Sequence, residues 1–270
     1  MKDTQSESDA RRLPIDRVGI KALRYPLQVR DKSETTQSTI AVVKATVDLP
    51  HRFKGTHMSR FIEVLASHGP VVHVSNLREI LEQLVQRLES DTAHLDLEFP
   101  FFLQKFAPVS KSPGMMDYDV RFSATLVSGQ LDFVVTVIVP VTTLCPCSKA
   151  ISVVGAHNQR GHVTISVRTT TPMWIEDIIR LAEDSASSEL FSLLKRADEK
   201  AVTERAYNNP VFVEDLVRNV AILCEKDPNI TWYRTEVENF ESIHNHSAYA
   251  LIERQRVGDG FQPMGKTSGS

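Results

Sequence analysis

The feature that most constrains this chain is a change of hydrophobic period that it passes through twice. Ile40–Leu49 is apolar and β-branched, as a strand requires. Thr56–Ser67 then switches to spacings of three and four through Met58, Phe61, Ile62 and Leu65. Leu77–Leu88 keeps that helical period through Leu77, Ile80, Leu81, Leu84, Val85 and Leu88, with Ser75 or Asn76 as its cap. Strand patterns follow at Leu95–Phe102, Asp119–Ser128 and Leu131–Val141, and Val127-Ser-Gly-Gln130 is a hairpin signal between the last two. The second passage begins with alternation over Gly161–Thr170 and continues with helical patterns at Met173–Leu194, read as broken, and Val213–Glu225. It closes with strands at Ile230–Asn239 and Ser247–Arg256. This order predicts an α+β fold of two related halves, each an antiparallel sheet with helices on one face. No residue-level repeat accompanies it, so the duplication rests on the element pattern alone.

Composition removes several classes of function. The 270 residues are 41% hydrophobic, enough for a real core. The 31 basic and 34 acidic residues lack the basic footprint of a nucleic-acid binder, although a few local cations can still hold a triphosphate. The opening MKDTQSESDARR has no apolar stretch and is not expected to act as a secretory signal. The longest clean apolar run, Phe133–Pro140, is far short of the roughly 20 residues of a membrane helix. Three cysteines do not make a disulfide framework. A cytoplasmic protein with reduced thiols is expected, without nucleic-acid or membrane partners. Residues 1–12 are expected as a flexible tail, 13–140 as the first half, 141–256 as the second half with most of the site, and 257–270 as a second flexible tail.

Chemistry-bearing residues gather in a few places. In Pro140-Val-Thr-Thr-Leu-Cys-Pro-Cys-Ser-Lys149, two cysteines flank a proline directly after an apolar strand. Cys145 and Cys147 are too close for an easy disulfide, so thiolate ligands or nucleophiles compete with a reading as two small buried residues. No second Cys pair completes a zinc ribbon. The loop Gly155-Ala-His-Asn-Gln-Arg-Gly-His162 offers His157 and Arg160; a loop histidine is more often solvated than a ligand. In Glu241-Ser-Ile-His-Asn-His246, alternate histidines on an extended chain share a face, whereas Glu241 joins them only if a turn intervenes near Ser242. Glu199 and Glu214 also suit plain helix surfaces, the latter as a favourable charge at a helix N-terminus. Cys224 keeps helical spacing with Val217 and Val220 and reads as core. Lys54-Gly-Thr-His-Met-Ser-Arg-Phe61 opens a helix with His57 and Arg60 beside its N-terminus, but lacks P-loop glycine spacing.

Taken together, Lys54–Phe61, Leu144-Cys-Pro-Cys-Ser-Lys149, Gly155-Ala-His-Asn-Gln-Arg160 and Glu241-Ser-Ile-His-Asn-His246 resemble the GTP cyclohydrolase type IB family, in order and over roughly residues 13–256. The resemblance implies a tunnelling fold (T-fold) in each half and a homotetramer with active sites between subunits. It implies one divalent metal per site, zinc or manganese with iron also suitable, on Cys145, His157, Glu199 and His244. It makes Glu214 the carboxylate that anchors the base, and places Cys147, Glu241 and His246 close to the reacting ring. Lys149, Arg160, His57 and Arg60 are candidates for the triphosphate. The implied reaction is hydrolysis of GTP to 7,8-dihydroneopterin triphosphate and formate, the first step toward pterins and folate. Two alternatives are a different T-fold enzyme, such as a nitrile reductase using a cysteine nucleophile and NADPH, and a non-catalytic metal-binding or redox-sensing protein.

Overall fold

A computed structural model describes residues 11–69 and 74–264, so the expected tail over 1–12 and the end of the one over 257–270 lie mostly outside the described residues. The chain forms two compact units, Met1–Pro100 with Val120–Val135, and Phe101–Asp119 with Thr136–Ser270. Three long strands contribute to both: β3 (Thr92–Phe106), β4 (Pro113–Val127) and β5 (Gln130–Leu144).

In the first unit β1 (Ile15–Arg30) pairs antiparallel with β2 (Thr36–Leu49), and β2 pairs antiparallel with β3. Against this sheet lie α1 (Met58–Ser67) and α2 (Val74–Leu88). Val43, Ala45 and Val47 of β2 are buried with Leu95 and Leu97 of β3, as are Leu77, Ile80, Leu81, Leu84 and Leu88 of α2. Each of these valines, leucines and the isoleucine contributes about 1.5–3 kcal/mol through burial, and Ala45 less. The buried stripe of α1 runs through Phe61, Val64 and Leu65, whereas Met58 and Ile62 of the expected face are exposed. Ser75 and Asn76 fall inside the first turn of α2 rather than before it. β4 and β5 meet through Ser128 (φ 48°) and Gly129 (φ 78°), the paired positive dihedrals that a two-residue hairpin needs.

β1 has no counterpart among the strands expected from periodicity. Its register with β2 shifts between Ile20 and Leu23, where Ala22 takes a φ of 61°. Such a bulge moves the following residues to the other face and breaks the alternation. Pro26 weakens the pattern further, and is tolerated in a strand at the sheet edge.

In the second unit β6 (Asn158–Thr169), β8 (Ile230–Asn239), β9 (Ala248–Val257) and β10 (Gly260–Pro263) form consecutive antiparallel pairs. β10 carries ordered pairing into the glycine-rich end of the chain. α4 (Ile175–Glu183) and α6 (Val213–Lys226) cover the sheet through Ile175, Ile178, Ile179, Leu216, Val217 and Val220. The helix expected over Met173–Leu194 stops at Glu183, and β7 (Ser188–Glu189) pairs with β5 instead. Serines cause the stop: Ser185 Oγ donates to the Leu181 carbonyl (2.7 Å), and Ser187 Oγ accepts from Leu144 N (3.1 Å). α5 (Arg196–Asn208) follows. The whole is an α+β fold of antiparallel pairs covered by helices, and among the described residues no helix is long and apolar enough to cross a membrane.

Candidate active site

The site is built where β5 ends. Cys145 is the N-cap of α3 (Pro146–Ile151), and Pro146 occupies the first helical turn, where a missing N–H costs nothing. Cys145 Sγ accepts from Ser148 N at 3.4 Å. The Cys-Pro-Cys segment is therefore a helix start, and this sets the direction of Cys147 that an extended chain leaves open. Cys147 is exposed and Cys145 half-buried; both are free thiols.

His157 is drawn to this helix start by its backbone. Cys145 N donates to the His157 carbonyl (3.1 Å), and His157 N donates to Ser148 Oγ (3.2 Å). Its ring Nδ1 lies 3.0 Å from Gln159 Oε1 and 3.8 Å from Glu241 Oε2. Glu241–His246 is a bent loop between β8 and β9, so the turn that brings Glu241 round is present. The rings of His244 and His246 stack, with centroids 5.2 Å apart and planes 15° from parallel.

These residues line a single cavity of about 340 Å³, within the usual range for ligand sites. It brings together Cys145, Cys147, His157, Glu214, Glu241, His244 and His246. Glu214 reaches it from the first turn of α6. Val211, Phe212 and Val213 supply an apolar wall, and Gln159, Asn239 and Ala248 complete the lining. The sequence marks Gln159 only as half of an amide pair in the loop after Gly155, and gives no sign of Asn239. The available signal for Gln159 was its place two residues after His157, where an extended chain repeats its face.

Other candidates stand elsewhere. Glu199 is exposed in the first turn of α5 and does not line the cavity. Lys149 Nζ donates to the Tyr207 carbonyl and sits 4.3 Å from the centre of the Tyr207 ring. Arg160 lines a second cavity of about 330 Å³ with His162, Asp117 and Asp119. In the first unit, His57 is the N-cap residue of α1, and Arg60 Nη1 donates to the Arg87 carbonyl at 2.7 Å. Among the described residues, no three His, Cys, Asp or Glu side chains are drawn up closely enough to hold a metal ion. Cys224 is buried in α6; burial, reinforced by Asp227 and Glu225, pushes its thiol up to about 12, as suits a core residue.

Comparison with known proteins gives a consistent result. A family model described as type I GTP cyclohydrolase FolE2 matches residues 1–250. The GTP cyclohydrolase FolE2 of Akkermansia muciniphila is 59% identical over 257 residues, covering 94% of this chain and 97% of the relative. That of Nitrosomonas eutropha is 57% identical over 255 residues, covering 94% and 96%. Among solved structures, uricase from Arthrobacter globiformis superposes with a TM-score of 0.52 at 11% identity, over 90% of this chain and 94% of that one. Urate oxidase from Bacillus sp. TB-90 gives 0.52 at 10% identity, over 89% and 99%. At such identities the likeness is one of fold, and the fold is the T-fold.

Proposed function

This chain belongs to the type I GTP cyclohydrolase FolE2 family, and from that membership and the cavity we propose that it hydrolyses GTP to 7,8-dihydroneopterin triphosphate and formate, the first step toward pterins and folate. The observation that carries the reading is the convergence of Cys145, Cys147, His157, Glu214, Glu241, His244 and His246 on one cavity. Glu214 accepts hydrogen bonds from guanine N1–H and the exocyclic amine, a donor pair that adenine lacks. His246, stacked on His244 at the cavity, exchanges protons with the opening ring, since an imidazole can both accept a proton and give one up. Cys147 and Glu241 stand close to the reacting carbon.

The donor set fits one divalent ion in kind: a thiol and two imidazoles line the cavity, and His157 Nδ1 is already committed to Gln159, leaving Nε2 for a ligand. Cys145, His157 and His244 of the cavity are the proposed ligands, for zinc or manganese, with iron also suitable; Glu199, which stands outside this cavity, would complete the set only from a neighbouring subunit. When bound, such an ion would supply Lewis acidity, lowering the pKa of water from about 15.7 to about 7 and so providing hydroxide at neutral pH. For the triphosphate we propose Lys149, Arg160, His57 and Arg60; Lys149 and Arg60 would share or release the backbone carbonyls they now hold. The proposal includes a cytoplasmic homotetramer with sites between subunits, built from T-fold halves 13–140 and 141–256.

The test is GTP turnover, followed by formate release, before and after metal removal. Chelation is expected to abolish turnover, and zinc or manganese to restore it. Full activity in metal-free enzyme would remove the metal from the reading. Reduction of a deazapurine nitrile by NADPH, with no action on GTP, would replace the reaction altogether.

A further inference from the structure

Gln159 is buried, 8% exposed, at the start of β6, and its side chain has a partner at each end. Its Nε2 donates to the hydroxyl of Thr143 at 2.9 Å, and Thr143 is fully buried at 0%. With the amide nitrogen turned to Thr143, Oε1 faces His157 Nδ1 at 3.0 Å. An amide oxygen only accepts, so Nδ1 must carry the proton. The Glu241 carboxylate, 3.8 Å from the same nitrogen, is a second acceptor-only group on that side of the ring and favours the same tautomer. The opposite amide orientation would set an N–H donor against Nδ1 and leave the carboxylate facing a bare ring nitrogen.

We infer that Gln159, anchored by Thr143, is a positioning residue that locks His157 as the Nδ1–H tautomer and presents its bare Nε2 to the cavity. The backbone bonds from Cys145 and to Ser148 fix where His157 stands. The Thr143–Gln159 pair fixes which way its ring turns and which nitrogen is free. An imidazole so held loses little freedom when Nε2 takes a ligand, and a hydrogen bond on the far nitrogen makes Nε2 a better donor. The inference rests on the proposed role of His157 as a metal ligand, but the tautomer itself does not depend on any metal.

The experiment uses the full chain with ¹⁵N-labelled histidine, wild type beside Gln159→Leu and Thr143→Val, and zinc as the probe. In metal-free wild type the His157 nitrogens are expected to separate into a protonated Nδ1 and a bare Nε2. In Gln159→Leu that separation is expected to collapse toward an average, and zinc affinity, read by competition with a colorimetric chelator, to fall about 10–100-fold. Thr143→Val, nearly isosteric, is expected to move both readouts the same way by less. Unchanged His157 signals and unchanged zinc affinity in Gln159→Leu would overturn the inference. Should Gln159→Leu fail to fold, Thr143→Val decides by the same two signals. Should the wild type bind no zinc, manganese or iron, the metal reading fails by itself; the ¹⁵N signals alone then uphold or overturn the tautomer lock.

Discussion

Two helix starts in the second unit carry nearly the same acidic pair and put it to opposite use. α5 opens Arg196-Ala-Asp198-Glu199, and α6 opens Val213-Glu214-Asp215. In each, the aspartate at the third helical position folds back on the start of its own helix. Asp198 Oδ2 accepts from Lys195 N at 2.9 Å, and Asp215 Oδ2 accepts from Phe212 N at 3.3 Å. The resemblance ends there. Asp198 is fully buried and also accepts from Val109 N and Ser110 N (both 2.8 Å) and from the Ser110 hydroxyl (2.7 Å). It ties α5 to a neighbouring loop. The Asp215 side chain is 48% exposed and, among the described residues, meets only its own helix, including Arg218 at 3.9 Å. The glutamates divide the other way. Glu199, one residue after the buried aspartate, is exposed, whereas Glu214, one residue before the exposed one, faces the cavity. A helix turns about 100° per residue, so a glutamate set before the aspartate rather than after it points about 200° away around the axis, here to the cavity instead of to solvent.

The sharpest way to break this comparison is Glu214→Gln. Turning an acceptor into a donor opposite guanine's donors is expected to lower catalytic efficiency for GTP roughly 10²–10⁴-fold, with little change in Tm. Steady-state kinetics beside a thermal melt decide it, and an unchanged efficiency would rule out base anchoring. Asp198→Asn should show the reverse signature. Burial alone would raise the Asp198 carboxyl, but its hydrogen bonds from Ser110, Lys195 and Val109 outweigh that and hold it well below the usual carboxylate range. A depressed carboxylate adds stability above its unfolded value of about 3.9, and the gain is lost as pH falls from there toward the folded value. The variant is expected to lose roughly 5–10 °C in Tm at neutral pH and to show a flatter decline below pH 4. Parallel wild-type and variant melts from pH 5 to pH 2 would remove the anchor. Asp215→Asn is the smallest effect, about 1–2 °C in Tm at neutral pH, as befits a single exposed capping bond. A loss as large as that of Asp198→Asn would erase the distinction.

Much of this arrangement is legible in the sequence wherever one period runs undisturbed. The limits of β8 match the alternation of Ile230–Asn239, and α6 matches Val213–Glu225 to within a residue. Legibility fails where side chains compete with the backbone or a bulge resets the face. The Ser185–Ser188 stretch ends α4 early, and the Ala22 bulge hides β1. The site divides similarly. Cys145, Cys147, His157 and His244 announce themselves by residue type and spacing. Gln159 and Thr143 are ordinary polar residues whose importance exists only once β5 and β6 lie side by side.

The register of β6 and β8 has a consequence for how this molecule can vary over time. Gly161 pairs with Asn239, and a Cβ at position 161 would fall on Asn239 Oδ1 and within 3.0 Å of the Glu238 carbonyl oxygen. Asn239 is itself part of the cavity wall. Even alanine at 161 would press that side chain out of its place, although position 161 holds no substrate and moves no proton. A change at this position is therefore felt first by the pocket wall. A lineage that gains a side chain there must also move or replace Asn239, which ties the history of a silent backbone position to that of the pocket.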